Sequence, residues 1–155
     1  MSIGAMLFSF RGRMNRQPYW LINLLAMAVA TGLIFIVTGG AILTEDDAAF
    51  GRLAILLPVL AIPLTWIGLA TGVKRLHDRN KSAWWLLVFY VLPSVLDYAG
   101  GESMLFGIAG LAIFVWALVE LGFLRGTSGP NDYGPDPLAP PEPGGVAGAL
   151  PSTGS

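Results

Sequence analysis

"LAILLPVLAIPLTWIGLATGVKRLHDRNKSAWW", residues 53–85, joins two kinds of sequence in one run. Up to Val73 there is no charged side chain after Arg52; then Lys74, Arg75, His77, Asp78, Arg79 and Lys81 follow in quick succession, and Trp84 and Trp85 close the stretch. A helix needs about 20 apolar residues to cross the hydrocarbon core of a bilayer, and residues 53–73 supply them. The cations beyond would then stop at a membrane face, with the two tryptophans at the headgroup level that tryptophan favours.

This span is one of several. Apolar stretches also cover residues 19–43, 84–98 and 104–124. The first holds no charged side chain, the second carries Asp97 at its far end, and the third carries Glu120. Composition agrees: 54% of residues are hydrophobic, 12% are charged and the mean hydropathy is +0.65. Soluble domains carry about 25% charged residues, and a small soluble fold could not coat its surface with half of that. The prediction is an all-α polytopic membrane protein, a four-transmembrane-helix bundle with a cytoplasmic polar cap. Its parts are a cytoplasmic N-terminal segment (1–18), the four-span membrane domain (19–124), an ordered turn-rich cytoplasmic loop (125–138) and a disordered tail (139–155). The first apolar run exceeds the roughly 7–15 residues of a signal-peptide core, so it is read as a retained span.

Orientation follows from Lys and Arg. Arg11, Arg13 and Arg16 precede the first span; Lys74, Arg75, Arg79 and Lys81 lie between the second and third; Arg125 follows the fourth. An even number of crossings puts all of these on one side, leaving Arg52 with Glu45, Asp46, Asp47, Asp97 and Glu102 on the other. Both termini are therefore expected in the cytoplasm of a bacterial plasma membrane, with Tyr19 and Trp20 repeating the interfacial aromatic pair.

Several function classes recede on composition. A net charge of −1 argues against a nucleic-acid binder. The absence of cysteine removes disulfides, thiolate metal sites and thiol nucleophiles. A single histidine, His77, leaves too few ligands for a His-based zinc site. Within the spans, Pro58 and Pro63 should kink the second and Pro93 should bend the third. Gly68 with Gly72, and Ala28 with Gly32, offer small faces for close helix approach. Tight bundle packing accounts for these features more simply than a transport hinge. After the last span, Gly126 is expected to stop the helix in the left-handed conformation, and Pro130, Gly134, Pro135 and Pro137 fix successive bends. The final "APPEPGGVAGALPSTGS" lacks the apolar bulk to fold.

Three blocks, "FSFRGRMNRQPYW", "KRLHDRNKSAWW" and "GTSGPNDYGPDP", carry a resemblance in order around the spans. Together the chain resembles the DUF805 family of small bacterial inner-membrane proteins over about residues 7–138. The family pattern falls on Phe10, Gly12, Arg13, Arg16 and Trp20; on Arg75, Leu76, His77, Asp78, Ser82 and Trp84; and on Gly126, Thr127, Gly129, Asn131, Tyr133, Gly134, Asp136 and Pro137. Asp132 departs from the basic or polar residue more usual there, which weakens a phosphate role for this turn. The resemblance implies a bacterial plasma-membrane location and no known reaction.

His77 and Asp78 are adjacent, but a metal site needs further ligands, and the nearby Ser82 is better placed to cap the third helix than to act in a triad. No enzymatic activity, cofactor or metal is expected, and Asp78 should orient His77 or pair with Arg75 or Arg79. Arg11, Arg13, Arg16, Lys74, Arg75, His77, Asp78, Arg79 and Lys81 are the candidate contacts of the cap. Beyond the lipid bilayer itself, they suit an anionic phospholipid headgroup, a membrane-protein partner or a second copy of the chain. Each juxtamembrane cation adds about 1 kcal/mol of attraction to an anionic leaflet. The alternative is a small oligomeric transporter or channel, which would require Asn23, Thr31, Thr65, Thr71 and Glu120 to line one watery cavity. Glu120, an intramembrane acid, needs a basic partner; Arg75 is the first expectation, with Arg13 and Arg16 next.

Overall fold

The computed structural model describes residues 3–44, 48–101 and 103–140. The acidic residues Glu45, Asp46, Asp47 and Glu102 lie outside them, as does the tail from residue 141 onward. The described chain is helical: α1 (Ile3–Phe8), α2 (Arg16–Thr44), α3 (Ala49–Asp78), α4 (Leu92–Gly100) and α5 (Met104–Leu118). A π-helical turn, Leu87–Val91, leads into α4, and a second, Val119–Phe123, prolongs α5.

Three stretches are long and apolar enough to cross a membrane: Arg16–Gly39, Gly51–Asp78 and Met104–Phe123. The stretch read as a span at 84–98 is a shorter apolar helix, Leu87–Gly100. At 1.5 Å per residue it reaches roughly 21 Å, against about 30 Å of hydrocarbon. Pro58 and Pro63 sit inside α3, which continues through both as a single helix. Pro93 acts differently. It stands at the head of α4, and the turn before it is widened, with the Leu92 N–H bonding the Leu87 carbonyl. A proline ring crowds the carbonyl four residues back, and a π turn is one way a helix accommodates such an irregularity.

Helix α2 packs on α3, and α4 packs on α5 across the short turn at Gly101. Of the small pair on α3, Gly72 abuts Leu86, while Gly68 faces open space. The buried apolar core is small and lies at one end of the bundle: Val73, Leu76, Leu86, Phe89 and Leu121. Trp116 meets Trp85 and Phe89 edge-on, at 5.4 and 5.2 Å between ring centres. Away from this end the helices leave large apolar side chains such as Leu21, Ile62 and Leu105 exposed. That is the surface of chains solvated by lipid tails rather than by water.

The N-terminal segment, residues 1–18, includes α1, which packs on α3. Lys74 supplies the cause. Its ammonium donates to the carbonyls of Ala5 (2.9 Å) and Met6 in the last turn of this short helix, where a cation is favoured.

Candidate functional site: the polar end of the bundle

Helix α3 ends in a tight backbone stop. Asn80 takes φ 57°, its N–H bonds the His77 carbonyl at 3.0 Å, and the Lys81 N–H reaches the Leu76 carbonyl at 2.9 Å. This is the Schellman arrangement, in which asparagine can stand where glycine is usual. It turns the chain sharply: the last turn of α3 presents Arg75 and Asp78 to one side, and the turn beyond it carries Arg79 and Lys81 to another.

Asp78 is the centre of the first group. It is 3% exposed and takes two guanidinium partners: Arg13 Nη2 at 3.1 Å on Oδ1 and Arg75 Nη1 at 2.6 Å on Oδ2. Both arginines are buried as well, and their remaining donors go to backbone. Arg13 donates to the carbonyls of Thr127 and Gly129, each at 2.6 Å, and of Gly134 at 3.3 Å. Arg75 donates to Leu121 O at 2.7 Å and to Leu124 O. Two arginines from separate blocks thus fasten the loop after α5 to the end of α3. A buried charge is tolerable only when it is paired and hydrogen-bonded, and here each donor or acceptor has a partner.

The loop folds around these bonds. The Thr127 N–H and hydroxyl both reach the Asp78 carbonyl, at 2.8 and 3.1 Å. The Asn131 amide donates to His77 O and Thr127 Oγ1, each at 2.8 Å. Asn131 and Gly134 exchange backbone hydrogen bonds. Tyr133 lies flat on His77, 3.9 Å between ring centres and 6° between planes. His77 Nδ1 faces the Gly12 carbonyl at 3.3 Å. Asp136 accepts from the N–H groups of Leu138 and Gly129, at 2.9 Å each, and these hold its carboxyl below the ordinary value of 3.8. Pro137 borders a hollow of about 420 Å³ shared with Met6, Gly12, Arg13 and Met14.

Gly126 has a role other than the expected one. The helix ends with Leu124 in an extended conformation, and Gly126 is absent from the residues at positive φ. Its lack of a side chain matters because the Asp78 carboxylate occupies the place where a Cβ would stand. Gly122 works the same way for Trp20: a Cβ there would meet the indole at 2.6 Å, and the indole N–H donates to the Gly122 carbonyl at 2.9 Å.

Glu120 has basic partners, but Arg75 is not among them. Arg79 Nε lies 2.5 Å and Lys81 Nζ 2.7 Å from its Oε1. Arg75 is already occupied by Asp78 and two carbonyls, and Arg13 by Asp78 and the loop. Lys81 also sits over the Trp85 ring at 5.0 Å. Asp78 likewise turns to Arg13 and Arg75 and bonds neither Arg79 nor the His77 ring.

The cap cations therefore divide. Arg13, Lys74, Arg75, Arg79 and Lys81 serve internal contacts. Arg11 and Arg125 are exposed without an acidic partner among the described residues, and the exposed Arg16 reaches only the Phe123 carbonyl at 3.4 Å. Arg16 and Arg125 border a cleft of about 270 Å³ with Asn15, Arg75, Thr127 and Ser128 on its walls, together with Asp78 and Asp136. The five polar residues of the transport reading differ in their surroundings. Thr71 and Glu120 are buried, Asn23 donates to Thr71 Oγ1 at 3.2 Å, and Thr31 and Thr65 are exposed.

Sequence reasoning missed the buried direction of Lys74, the seat of Trp20 on Gly122, and the Asn80 turn. Only the last left a local signal, an asparagine directly after a charged helix end.

The chain belongs to the family described as "Protein of unknown function (DUF805)", whose pattern matches residues 7–135. It is 34% identical to the uncharacterized protein YiiR of Escherichia coli K12, covering 88% of this chain and 90% of that one. It is 31% identical to the inner membrane protein YhaI of the same strain, over 83% of this chain and 85% of YhaI. With the inner membrane protein YhaH the identity is 30%, over 85% and 89% of the two chains. No solved structure matches.

Proposed function

We propose that this chain is a non-enzymatic, four-span protein of the bacterial inner membrane whose polar cap faces the cytoplasm and binds the phosphate of an anionic phospholipid headgroup. The relatives named as inner membrane proteins and the apolar helices support the location. The distribution of Lys and Arg supports the orientation. The Leu87–Gly100 helix serves as the fourth crossing, with Trp84 and Trp85 ahead of it at the interface.

The observation that carries the reading is the cleft between Arg16 and Arg125. Arg16 begins α2 and Arg125 follows the last turn after α5, so the cleft stands at the ends of two candidate spans, which supports a headgroup ligand. Asp78 is neutralised by two arginines, which leaves the cleft positive despite Asp136. Ser128 adds a hydroxyl donor on the cleft wall, and exposed guanidiniums suit phosphate oxygens. A non-enzymatic role is supported by the surroundings of His77, whose ring is covered by Tyr133 and whose Nδ1 faces a carbonyl rather than a carboxylate.

The test is thermal unfolding in detergent with added phosphatidylglycerol or phosphatidylcholine. The anionic lipid is expected to raise the melting temperature of the wild type, and Arg16→Gln/Arg125→Gln is expected to lose most of that rise. Equal stabilisation by the zwitterionic lipid, or an undiminished rise in the double variant, would sink the proposal. For orientation, a periplasm-active reporter fused after Ser82 should stay silent while one fused after Glu45 is active.

A further inference from the structure

The most telling side chain outside the cleft is Lys74. It is wholly buried, and its ammonium has carbonyl partners only, those of Ala5 and Met6. A lysine near a membrane face ordinarily stretches its ammonium toward water. Side chains on a helix lean toward its N-terminus, so Lys74 on α3 leans away from the polar end, toward the spans. Its partners on α1 lie beside this part of α3, with Met6 also bordering the hollow next to Pro137.

The neighbours of α1 give its depth. The polar-end boundary of the spans is marked by contacts from three helices: the Trp20 indole on Gly122, the Trp20 ring 5.8 Å from Phe123, and Arg75 on the Leu121 carbonyl. Trp66 lies along α3 from Arg75 by roughly 13 Å, at about 1.5 Å per residue. Its indole N–H donates to the Phe8 carbonyl at 3.3 Å, and its ring meets Phe10 at 5.2 Å. Phe10 also packs against the core around Val73 and Leu86. From Met14, whose N–H bonds the Lys74 carbonyl, the chain thus runs back along α3 into the level of the spans.

The composition of this arm fits that depth. Residues 1–10 contain no charged side chain. Ile3 is 76% exposed and Phe8 54% exposed, which is unfavourable against water and ordinary against acyl chains. We propose that residues 3–10 form a membrane-inserted arm. Helix α1 lies in the leaflet on the cap side, its outer face against lipid tails, and Lys74 pins its C-terminal carbonyls to α3. The surface it adds to the protein is a lipid-contacting one, so the first loop of the chain enters the bilayer before the first span does.

The chain lacks cysteine, so single cysteines can be placed for nitroxide labelling without altering a native background. Ile3→Cys and Phe8→Cys would be compared in liposomes with Leu25→Cys, exposed on α2, and Ser128→Cys, exposed in the loop. The readout is the ratio of collision with oxygen to collision with a water-soluble nickel chelate supplied on both sides. Inserted positions should give ratios about fivefold or more above Ser128 and close to Leu25, since an interfacial helix buries its apolar face roughly 5–10 Å deep. A ratio nearer to Ser128 at Ile3 or Phe8 would overturn the proposal. The result does not depend on which lipid the cleft binds or on which way the protein faces.

Discussion

The two ends of α3 hold together by different physics. Along its membrane stretch, α3 makes few buried contacts, and α2 and α5 do likewise; their exposed leucines and isoleucines have lipid for a neighbour. At the polar end, within the last two turns, Lys74, Arg75 and Asp78 are all buried and every bond they make is directional. Hydrophobicity puts the helices in the membrane but gives them little reason to choose one neighbour over another, because lipid tails are as apolar as leucine. Choice of neighbour comes from groups that cannot be left unpaired. The bonds of the cap thus favour one arrangement of α2, α3 and the end of α5.

The strongest way to break this comparison is at Asp78. Asp78→Ala would leave Arg13 and Arg75 buried with their shared counter-charge gone, an arrangement that costs about 3–5 kcal/mol. Asp78→Asn retains acceptor capacity and should cost less. Leu25→Ala, on the exposed surface of α2, should stay within about 0.5 kcal/mol of wild type. Unfolding in mixed detergent micelles measures all three. A loss at Leu25 comparable with that at Asp78 would mean that the spans, not the cap, hold the bundle. Gly126→Ala should act in the same direction as Asp78→Ala, through the same contact, since the new methyl would displace the carboxylate.

Glu120 sharpens the comparison at the boundary between the two regimes. Its partners come from the turn beyond α3, so its coupling should be found with Lys81 and Arg79 and be absent with Arg75. A double-mutant cycle of Glu120→Gln with Lys81→Met should give an interaction of about 0.5–2 kcal/mol. The cycle with Arg75→Met should be additive within about 0.5 kcal/mol. Additivity in the first cycle together with coupling in the second would restore the pairing expected from sequence.

That mistaken pairing shows where legibility ends. The spans could be read because hydropathy is a local property, and the blocks around Arg13, Arg75 and Gly126 could be read as one surface because topology puts them at one interface. The choice of Arg79 over Arg75 could not. It depends on the turn at Asn80 carrying Lys81 back across α5, and on Asp78 having already taken Arg75. Gly126 was read from local habit as a left-handed helix stop, whereas its reason is a carboxylate supplied from a distant segment. Lys74 was counted among the basic residues of the cap because its sign was visible. Its direction, inward to the carbonyls of α1, is a tertiary fact with no local signature.

The smallest expected effect lies in the loop itself. The N–H groups of Leu138 and Gly129 donate to Asp136 and hold its carboxyl below 3.8. A carboxylate whose folded pKa is depressed stabilises the folded form above its unfolded pKa, and loses that contribution as pH falls through the folded value. Asp136→Asn should therefore leave the loop modestly more open than wild type near neutral pH, and the two should converge as the pH drops below about 3.8. Hydrogen exchange at the Gly129 and Leu138 amides reads this directly, because both lose their acceptor's charge at once. Removal of residues 141–155 should leave that exchange unchanged, since among the described residues the loop is fastened by bonds that lie before residue 140. A difference between Asp136→Asn and wild type that persists undiminished into acid would show that the aspartate acts by shape rather than charge. The charge-dependent part of the loop's hold would then rest with Arg13, and the rest with the neutral bonds of Thr127 and Asn131.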